Sequence, residues 1–328
     1  MKMILFELIF FIFYRLILTK RTSPVVGLLL KNITEEYGNI IPGAKLVVED
    51  TYVSFLEQGG ARVIPIDYTS SFEDINKILA QVDGVLFPGG GTNLTLMKNG
   101  IFDLSQFTKA GQFILNKSIE LKNQNSFPIP IWGTCLGFEL ILMAMANDPN
   151  FLQNCSHCDH YPASLDYFID PYYTQLFGKM SPIDVLKLSS IPLTPNNHEH
   201  GITRELFNDK TYNYLHQYIK LTSESNASDS LSNFIASVEG IDIPIYATQY
   251  HPEKWVYVNN VEFNHYIDTA VLMQEHSEIF LSKCRERMEA LNRDDTDFDI
   301  YKESIYTLNS FYYSPRGVNL YYTLSSTD

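Results

Sequence analysis

The chain has 328 residues, of which 45% are hydrophobic and 19% are charged, and this composition excludes a disordered or collagen-like protein. Asp and Glu number 38 against 24 Lys and Arg, and the net charge of -14 argues against a nucleic-acid binder, which needs a basic surface. The four cysteines are too few for a disulfide scaffold. A packed globular protein without nucleic-acid binding is therefore expected.

Residues 1–22 have the pattern of a secretory signal peptide, because Lys2 precedes an apolar run over Met3–Tyr14. A membrane-spanning helix needs ~20 apolar residues, so the run is short for an anchor. Glu7 interrupts the run and no Ala-x-Ala cleavage site follows, which keeps an uncleaved anchor or a wrong start site open as alternatives. We expect export, and a single mature domain over residues 23–328 without membrane attachment.

Five Asn-x-Ser/Thr sequons fit an exported protein, since each can accept a surface glycan, although such triplets also arise by chance. Their asparagines are Asn32, Asn93, Asn116, Asn154 and Asn226. The predicted destination is the lysosome or vacuole, or the extracellular space.

The first half of the chain alternates predicted strands and helices. Short apolar runs predict buried parallel strands, and the longer segments between them predict helices. The predicted strands are Pro24–Leu30, Ala61–Ile66, Gly84–Phe87 and Pro130–Trp132, and the predicted helices are Ala44–Gln58, Phe72–Val82, Ser105–Asn123 and Leu136–Asn147. This order predicts an α/β fold, a three-layer sandwich whose mostly parallel sheet carries helices on both faces.

The second half is less regular, and the sequence of residues 149–182 has no pattern that predicts a clear helix or strand. Shorter strands are predicted at Lys187–Leu193, Lys220–Ser223, Phe234–Glu239 and Pro244–Tyr250. A long helix at Val261–Leu291, an acidic linker at Asp294–Asp299 and a Tyr-rich tail at Ile305–Thr323, whose loose alternation allows edge strands, are predicted to follow. No internal repeat or interior linker divides the sequence, so one α/β domain with an irregular insertion is predicted.

The segment Gly133-Thr134-Cys135-Leu136-Gly137 joins a predicted strand to a predicted helix. Glycines on both sides of one cysteine permit a sharp, strained turn, as in a nucleophile elbow with Cys in place of Ser. The turn places the sulfur at a helix N-terminus, which is expected to lower the thiol pKa. Cys135 is therefore the predicted nucleophile and the backbone N–H of Leu136 a predicted oxyanion donor, with a buried, inert cysteine as the alternative.

Two further segments follow strands that are predicted to end at the same edge of the sheet, where active sites form. A thiolate enzyme needs an acid and base, usually His, held by a third group. His251 follows a strand and Glu253 lies two positions later, which predicts a base and its orienting carboxylate. Gly89 and Gly90 are predicted to supply a second oxyanion donor, with a plain glycine turn as the alternative.

The strings PGG at 88–90, GTCLGFE at 133–139 and YHPEK at 250–254 resemble the class I glutamine amidotransferase-like superfamily. Amidotransferases usually have Gln two positions after the second elbow glycine, whereas this chain has Glu139. The longer strings IWGTCLGFE, QYHPEK, YVSFLEQGGARVIPI, GVLFPGG and PNNHEHGI resemble, more narrowly, the γ-glutamyl hydrolase family over residues 24–322. The resemblance implies the flavodoxin-like, three-layer fold of that superfamily.

The resemblance also implies a Cys135–His251 catalytic pair with Glu253 as its third member, and it makes His198 the counterpart of a functional histidine near the substrate. In an acidic compartment His198 is expected to be protonated and to pair with a substrate carboxylate, whereas His200 is expected to be dispensable. The implied reaction is hydrolysis of folate or antifolate polyglutamates, which are small molecules, through a thioester acyl-enzyme. No metal or organic cofactor is implied, and a homodimer is left open.

Two other functions stay open at this point. One is hydrolysis of another γ-glutamyl amide, and the other is a glutaminase subunit that delivers ammonia to a synthetase partner. The sequence contains no recognisable synthetase domain, and the export signal argues against the glutaminase.

Cys155 and Cys158 have the CxxC spacing of a zinc half-site. A second half-site at the usual spacing is missing, so a local disulfide or free thiols are predicted instead of zinc. Cys284 is predicted to be a packing residue of the long C-terminal helix, like the helix aromatics Phe263, Tyr266 and Phe280.

Overall fold

The fold is described from a computed structural model, which describes residues 23–33, 35–228, 233–254, 267–293, 303–313 and 318–324. The predicted signal peptide at 1–22 and the predicted acidic linker at 294–299 lie outside these ranges. Within them, no helix is both long and apolar enough to cross a membrane.

The strands of the described residues are, in chain order, β1 (Val25–Leu29), β2 (Lys31–Asn32), β3 (Ala44–Glu49), β4 (Arg62–Ile66), β5 (Gly84–Phe87), β6 (Thr95–Lys98), β7 (Ile101–Leu104), β8 (Ile131–Thr134), β9 (Gln153–Asn154), β10 (Tyr161–Ala163), β11 (Asp166–Tyr167), β12 (Thr194–Asn196), β13 (His200–Gly201), β14 (Ile219–Asn226), β15 (Asn233–Gly240), β16 (Ile245–Thr248), β17 (Asn309–Tyr313) and β18 (Val318–Leu324). The α-helices are α1 (Glu35–Ile40), α2 (Asp50–Glu57), α3 (Phe72–Leu79), α4 (Gln106–Asn123), α5 (Leu136–Ala146), α6 (Pro182–Ser190), α7 (Arg204–Phe207), α8 (Asn213–Tyr218) and α9 (Ile267–Ala290). Short 3₁₀ helices cover Pro171–Tyr173, Lys210–Tyr212, Pro252–Lys254 and Ile305–Thr307.

An eight-stranded sheet forms the centre of the fold, in the order β11-β14-β15-β16-β8-β5-β1-β4. The five strands from β16 to β4 run parallel to their neighbours, and β15, β14 and β11 extend the sheet antiparallel. Every residue of β1, β5, β8 and β16 is buried, which is expected of parallel strands covered on both faces. The mostly parallel sheet predicted from the sequence is therefore confirmed.

Helices cover both faces of this sheet. Helix α5 lies against β5, β8 and β16 and packs on α4, whereas α9 contacts β5 and α2. Strand β5 is in contact with a helix on each face of the sheet. A Cβ added to Gly84 of β5 would meet Cys284 and Phe280 of α9. At the other end of the strand, Gly137 of α5 lies against the Phe87 carbonyl. The predicted three-layer α/β sandwich is confirmed, and Cys284 and Phe280 are packing residues, as expected.

The predicted helix at Ala44–Gln58 is wrong in its first part, because Ala44–Glu49 forms strand β3 and the helix begins only at Asp50. Strand β3 lies in a second, four-stranded sheet of order β17-β18-β3-β2. Its pairing partner β18 comes from the Tyr-rich tail, which confirms the edge strands allowed there. A local sequence pattern cannot reveal a pairing partner so far away in the chain, and this is why the apolar residues of β3 favour a helix in the sequence analysis.

The predicted strand at Lys187–Leu193 is also wrong, since most of it belongs to helix α6. The Ser181 side chain accepts a hydrogen bond from the backbone N–H of Asp184, and Pro182 stands at the first helical position. Both are ordinary signals of a helix start, so the sequence contained the information. The long C-terminal helix is confirmed from Ile267 to Ala290.

Candidate active site

The carboxyl ends of four neighbouring parallel strands meet at one edge of the central sheet. Lys31 follows β1, the glycine loop at 89–91 follows β5, Cys135 follows β8 and His251 follows β16. All four contribute to the lining of one cavity of about 770 Å³. This volume is in the range of small-molecule sites. Segments that are far apart in sequence thus form one site, as the strand-end argument predicts.

Cys135 occupies the sharp turn expected of a nucleophile elbow. Its backbone has φ 52° and ψ -107°, a conformation that costs a non-glycine residue roughly 1–3 kcal/mol. The flanking glycines permit this sharp turn, as predicted, because they leave the space that it needs, whereas the strained backbone conformation is that of Cys135 itself. A Cβ on Gly133 would lie 2.6 Å from the Gly137 carbonyl oxygen, and one on Gly137 would lie 2.0 Å from the Phe87 carbonyl oxygen.

The Cys135 thiol is buried and its Sγ lies 3.7 Å from the Asn197 carbonyl oxygen, to which it can donate. Burial raises its pKa to about 12, and the nearby charges of Glu139 and Glu253 act in the same direction. The Lys254 charge and a hydrogen bond from the Leu136 N–H oppose this rise in pKa. The lowered pKa expected from the helix N-terminus is therefore wrong, and the resting cysteine is a neutral thiol.

His251 and Glu253 form a buried pair, with 2.7 Å between the His251 Nδ1 and the Glu253 Oε1. Burial lowers the pKa of His251, so the imidazole is neutral at pH 7. Its Nε2 is buried and has no hydrogen-bond partner among the described residues. A Cβ added to Gly89 would lie 2.9 Å from the His251 Cε1 and 3.1 Å from the Cys135 Cβ. The two side chains therefore flank the same glycine.

The predicted oxyanion donors differ in their present hydrogen bonds. The Gly89 N–H donates to the Tyr52 hydroxyl over 2.8 Å, whereas the Leu136 N–H faces the Cys135 sulfur. Gly90 lies at the cavity with φ 142°, a backbone conformation that side chains rarely adopt. Among the predicted oxyanion donors, the backbone N–H groups of Gly90 and Leu136 are thus the two that donate to no protein oxygen in the described structure.

His198 lines the same cavity, but its chemistry differs from the expectation. Its Nδ1 lies 2.7 Å from the His200 carbonyl oxygen, to which it donates, and its ring packs on Phe234. Burial lowers its pKa to about 4, so His198 is neutral even in a mildly acidic compartment. The expected protonation of His198 before substrate binds is therefore wrong. His200 is exposed at the rim of the cavity.

The cavity wall also contains polar residues to which the sequence pattern assigns no role, and among them are Lys31, Glu49, Tyr52 and Glu139. Lys31 is only 2% exposed, and its ammonium donates to both Glu49 carboxylate oxygens over 2.9 and 2.7 Å. Burial raises the pKa of Glu139 to about 8, although its Oε1 accepts a hydrogen bond from Gln249. The sequence does contain a signal for placing Lys31 in the site, because this lysine directly follows the apolar run of β1 and therefore stands at the carboxyl end of a strand.

Cys155 and Cys158 form a disulfide. This agrees with the prediction of a local disulfide or free thiols instead of a zinc site. His198 is close enough for the three side chains to form a potential metal-ligand group, with ligand atoms within 4.8 Å of one another. Both sulfurs are bonded to each other, however, so the present structure offers no thiolates there. The disulfide loop instead holds the His198 segment, since the His198 N–H donates to Cys158 and the Cys155 N–H donates to Glu199.

A central sheet that presents a buried cysteine on an elbow, beside a His–Glu pair, defines a cysteine-type hydrolase. The comparison with known families agrees with this class. The chain belongs to the peptidase C26 family, whose model matches residues 24–253.

Similar curated proteins align over an equal or larger part of the chain. "Gamma-glutamyl hydrolase B" of Dictyostelium discoideum is 29% identical over 301 residues, which are 91% of this chain and 82% of the relative. The "Gamma-glutamyl hydrolase" of Rattus norvegicus is 29% identical over 70% of this chain and 67% of its own length. The human protein of the same name is 27% identical over 72% and 69%. Among solved structures, a glutamine amidotransferase of Thermotoga maritima aligns with a TM-score of 0.41 and 11% identity, over 82% of this chain and 99% of its own.

Proposed function

We propose that the chain hydrolyses γ-glutamyl bonds in folylpoly-γ-glutamates and antifolate polyglutamates through a thioester acyl-enzyme. The reaction class rests on membership of the peptidase C26 family and on similarity to proteins named γ-glutamyl hydrolases. The observation that carries the mechanism is the meeting of Cys135 with the His251–Glu253 pair at one cavity of about 770 Å³.

In the first half of the reaction, the Cys135 sulfur attacks the γ-carbonyl carbon of the substrate. The raised pKa of the thiol and the lowered pKa of His251 mean that both start neutral, so the thiol proton passes to the free Nε2 of His251 during attack. The carbonyl oxygen becomes an oxyanion, for which the N–H groups of Leu136 and Gly90 are the available donors.

Collapse of the tetrahedral intermediate breaks the C–N bond, and His251 returns its proton to the leaving amine. In the second half, His251 accepts a proton from water, and the resulting hydroxide attacks the thioester carbonyl. The C–S bond breaks, the γ-carboxylic acid leaves, and His251 returns its proton to the sulfur, which restores the Cys135 thiol. Glu253 stays bonded to Nδ1 throughout, which fixes the orientation of the ring and stabilises its cationic form.

The test is incubation of the purified protein with a folate pentaglutamate and, separately, with glutamine, followed by product analysis. Release of glutamate or short polyglutamates, with little ammonia from glutamine, is the expected result. Cys284→Ala is a matched control for Cys135→Ala, because Cys284 is the other free buried cysteine of the described residues. Rapid release of ammonia from glutamine with an untouched polyglutamate would identify a glutaminase instead.

We also propose that a single domain over residues 23–328 is exported, glycosylated and delivered to the lysosome, the vacuole or the cell exterior. The five sequon asparagines are all exposed, and the Cys155–Cys158 disulfide suits an oxidising compartment. Endoglycosidase treatment of protein from its native source should lower the apparent mass, and sequencing should find the first 22 residues removed. A band that does not shift, with Met1 retained, would contradict export.

A further inference from the structure

The aromatic half of a folyl substrate needs an apolar surface near the active-site cavity. A pteroyl group consists of a benzoyl ring and a two-ring pterin, and binding such rings gains free energy mainly from the apolar area that leaves water. Three apolar residues of the cavity wall offer little of this area, because Leu94, Leu136 and Met143 are buried. The wall also contains Pro149 and Leu152, which are half-buried, and it ends in a hairpin whose apolar side chains are more exposed.

Strands β6 and β7 form this hairpin, and its base belongs to the cavity. Thr95, the first residue of β6, lines the cavity together with Leu94 before it. The Leu94 carbonyl oxygen accepts hydrogen bonds from the Ser105 N–H over 2.9 Å and from the Thr108 hydroxyl over 2.6 Å, and these bonds hold the base on the start of α4. The chain runs from the glycine loop at 89–91 into β6 within a few residues, so the hairpin stands beside the proposed oxyanion donor of that loop.

The turn between the two strands fixes how they pair. Asn99 and Gly100 connect Lys98 with Ile101, and their φ angles are 54° and 78°. An Asn-Gly pair with positive φ at both positions is the usual two-residue hairpin turn, because its twist matches that of the flanking strands. The turn sets the register, and the register sets the face of the hairpin on which each side chain lies.

The register places an exposed apolar pair on the face that starts at the cavity. Met97 is paired with Phe102 and Thr95 with Leu104, and because alternate residues of a strand share a face, all four lie on one side. Leu104 is buried and Thr95 lines the cavity, whereas Met97 and Phe102 are 64% and 47% exposed. This side, the Met97–Phe102 face, therefore begins at the cavity and continues outward as an apolar surface.

The opposite face of the hairpin has a different composition. It places Ile101 across from Lys98 and Leu96 across from Asp103, so each apolar side chain there stands next to a charged one. On the Met97–Phe102 face, the two apolar side chains are direct cross-strand neighbours. A thioether and an aromatic ring side by side suit a flat heteroaromatic ligand, through ring stacking and sulfur–ring contacts.

We propose that the Met97–Phe102 face binds the pteroyl group of the substrate while Cys135 attacks the γ-carbonyl. This inference rests on the proposed function. When the first γ-bond is cleaved, the pteroyl group is attached to the α-nitrogen of the attacked glutamate, and three carbon atoms separate this nitrogen from the reacting carbonyl carbon. The rings therefore begin close to Cys135, and their length carries them toward the rim. Binding them there holds the acyl half of the substrate through both steps of the reaction.

The experiment compares pteroyl-γ-diglutamate with γ-glutamylglutamate, which has the same scissile bond and no pteroyl group. Wild-type protein should cleave the pteroyl substrate with a kcat/KM at least about tenfold higher, which corresponds to ~1.4 kcal/mol. Phe102→Ser should lose most of this preference through a rise in KM for the pteroyl substrate, with less than about a twofold change in kcat/KM for γ-glutamylglutamate. Phe102→Trp should keep the preference, because it retains an aromatic ring for stacking.

Ile101→Ser is the matched control and should leave the preference unchanged, because it removes a 72% exposed apolar side chain from the opposite face of the same hairpin. Equal losses of Phe102→Ser on both substrates, or none on either, would refute the role of the hairpin while the proposed function stands. Equal cleavage of the two substrates by the wild type, or a preference lost in Leu152→Ala and kept in Phe102→Ser, would refute it as well. Failure of the wild type to cleave either substrate and a folate pentaglutamate would refute the proposed function, and the inference with it.

Discussion

The buried carboxyl of Glu139 should make the stability of the fold strongly dependent on pH. Glu139 lies in the first turn of α5, beside Cys135, and burial raises its pKa from 4.5 to about 8. In the unfolded chain the same carboxyl loses its proton near pH 4.5. Between these two values the folded protein keeps a proton that the unfolded chain has released, so stability must fall as the pH rises.

The size of the effect follows from proton linkage. One extra proton in the folded state gives a slope of about 1.4 kcal/mol per pH unit in the free energy of unfolding. From pH 4.5 to about 8 the loss amounts to about 5 kcal/mol. The contribution of Glu139 is complete below pH 4.5, declines through this window and is absent above about pH 8. A loss of this size is comparable to the whole stability of many domains.

Glu139→Gln removes the titration and keeps the shape, including the acceptor for the Gln249 amide at 3.0 Å. Urea unfolding should be measured from pH 4.5 to 8 for the wild type, for Glu139→Gln and for Glu205→Gln, an exposed glutamate that serves as the control. His198 and His276, whose pKa values burial lowers to about 4, give stability the opposite pH dependence and cancel in the comparison. Parallel curves for the wild type and Glu139→Gln would show that Glu139 is ionised in the folded protein and would refute the reasoning.

Four further outcomes are expected. Cys135→Ala should abolish turnover of a folate pentaglutamate and leave the circular dichroism spectrum unchanged; near-wild-type activity would exclude the thioester route. Because burial lowers the pKa of His251, kcat/KM should fall with acidification only below pH 6.5, and a midpoint above that value would contradict a neutral base. His198→Asn should lower kcat/KM at least about tenfold and His200→Asn hardly at all, so equal losses would place the wrong histidine in the site. Gly137→Ala should cost more than ~2 kcal/mol in urea unfolding, because its Cβ would lie 2.0 Å from a β5 carbonyl oxygen, and an unchanged midpoint would contradict the close contact.

The sequence predicted those parts of the site that depend on local patterns. Cys135 stands between glycines at the junction of an apolar strand and an apolar helix, and His251 follows a strand, so the local sequence pattern is enough to identify both. The burial of these groups and the charges around them could not be predicted from a local sequence pattern. The Cys135 pKa depends on burial by distant segments and on Glu139 and Glu253, which outweigh the helix N-terminus that the sequence made visible.

The same division holds for the fold. The alternation from β1 to α5 gave the layered architecture, because each buried parallel strand is a short apolar run. Strand β3 was missed since its partner β18 follows far along the chain. The role of Glu49 is not predictable for the same reason, because its ion pair with Lys31, 18 positions away in sequence, leaves no periodic trace.

The pairing of β18 with β3 determines when the active-site cavity can form during synthesis of the chain. The Leu46 N–H donates to the Thr323 hydroxyl across 277 positions, and β3 ends at Glu49, which holds Lys31, one turn before Tyr52. One wall of the cavity is therefore braced by a segment that the ribosome makes near residue 320. A nascent chain that has already displayed Cys135 and His251 still lacks this brace, so catalytic competence should arise late in synthesis rather than gradually.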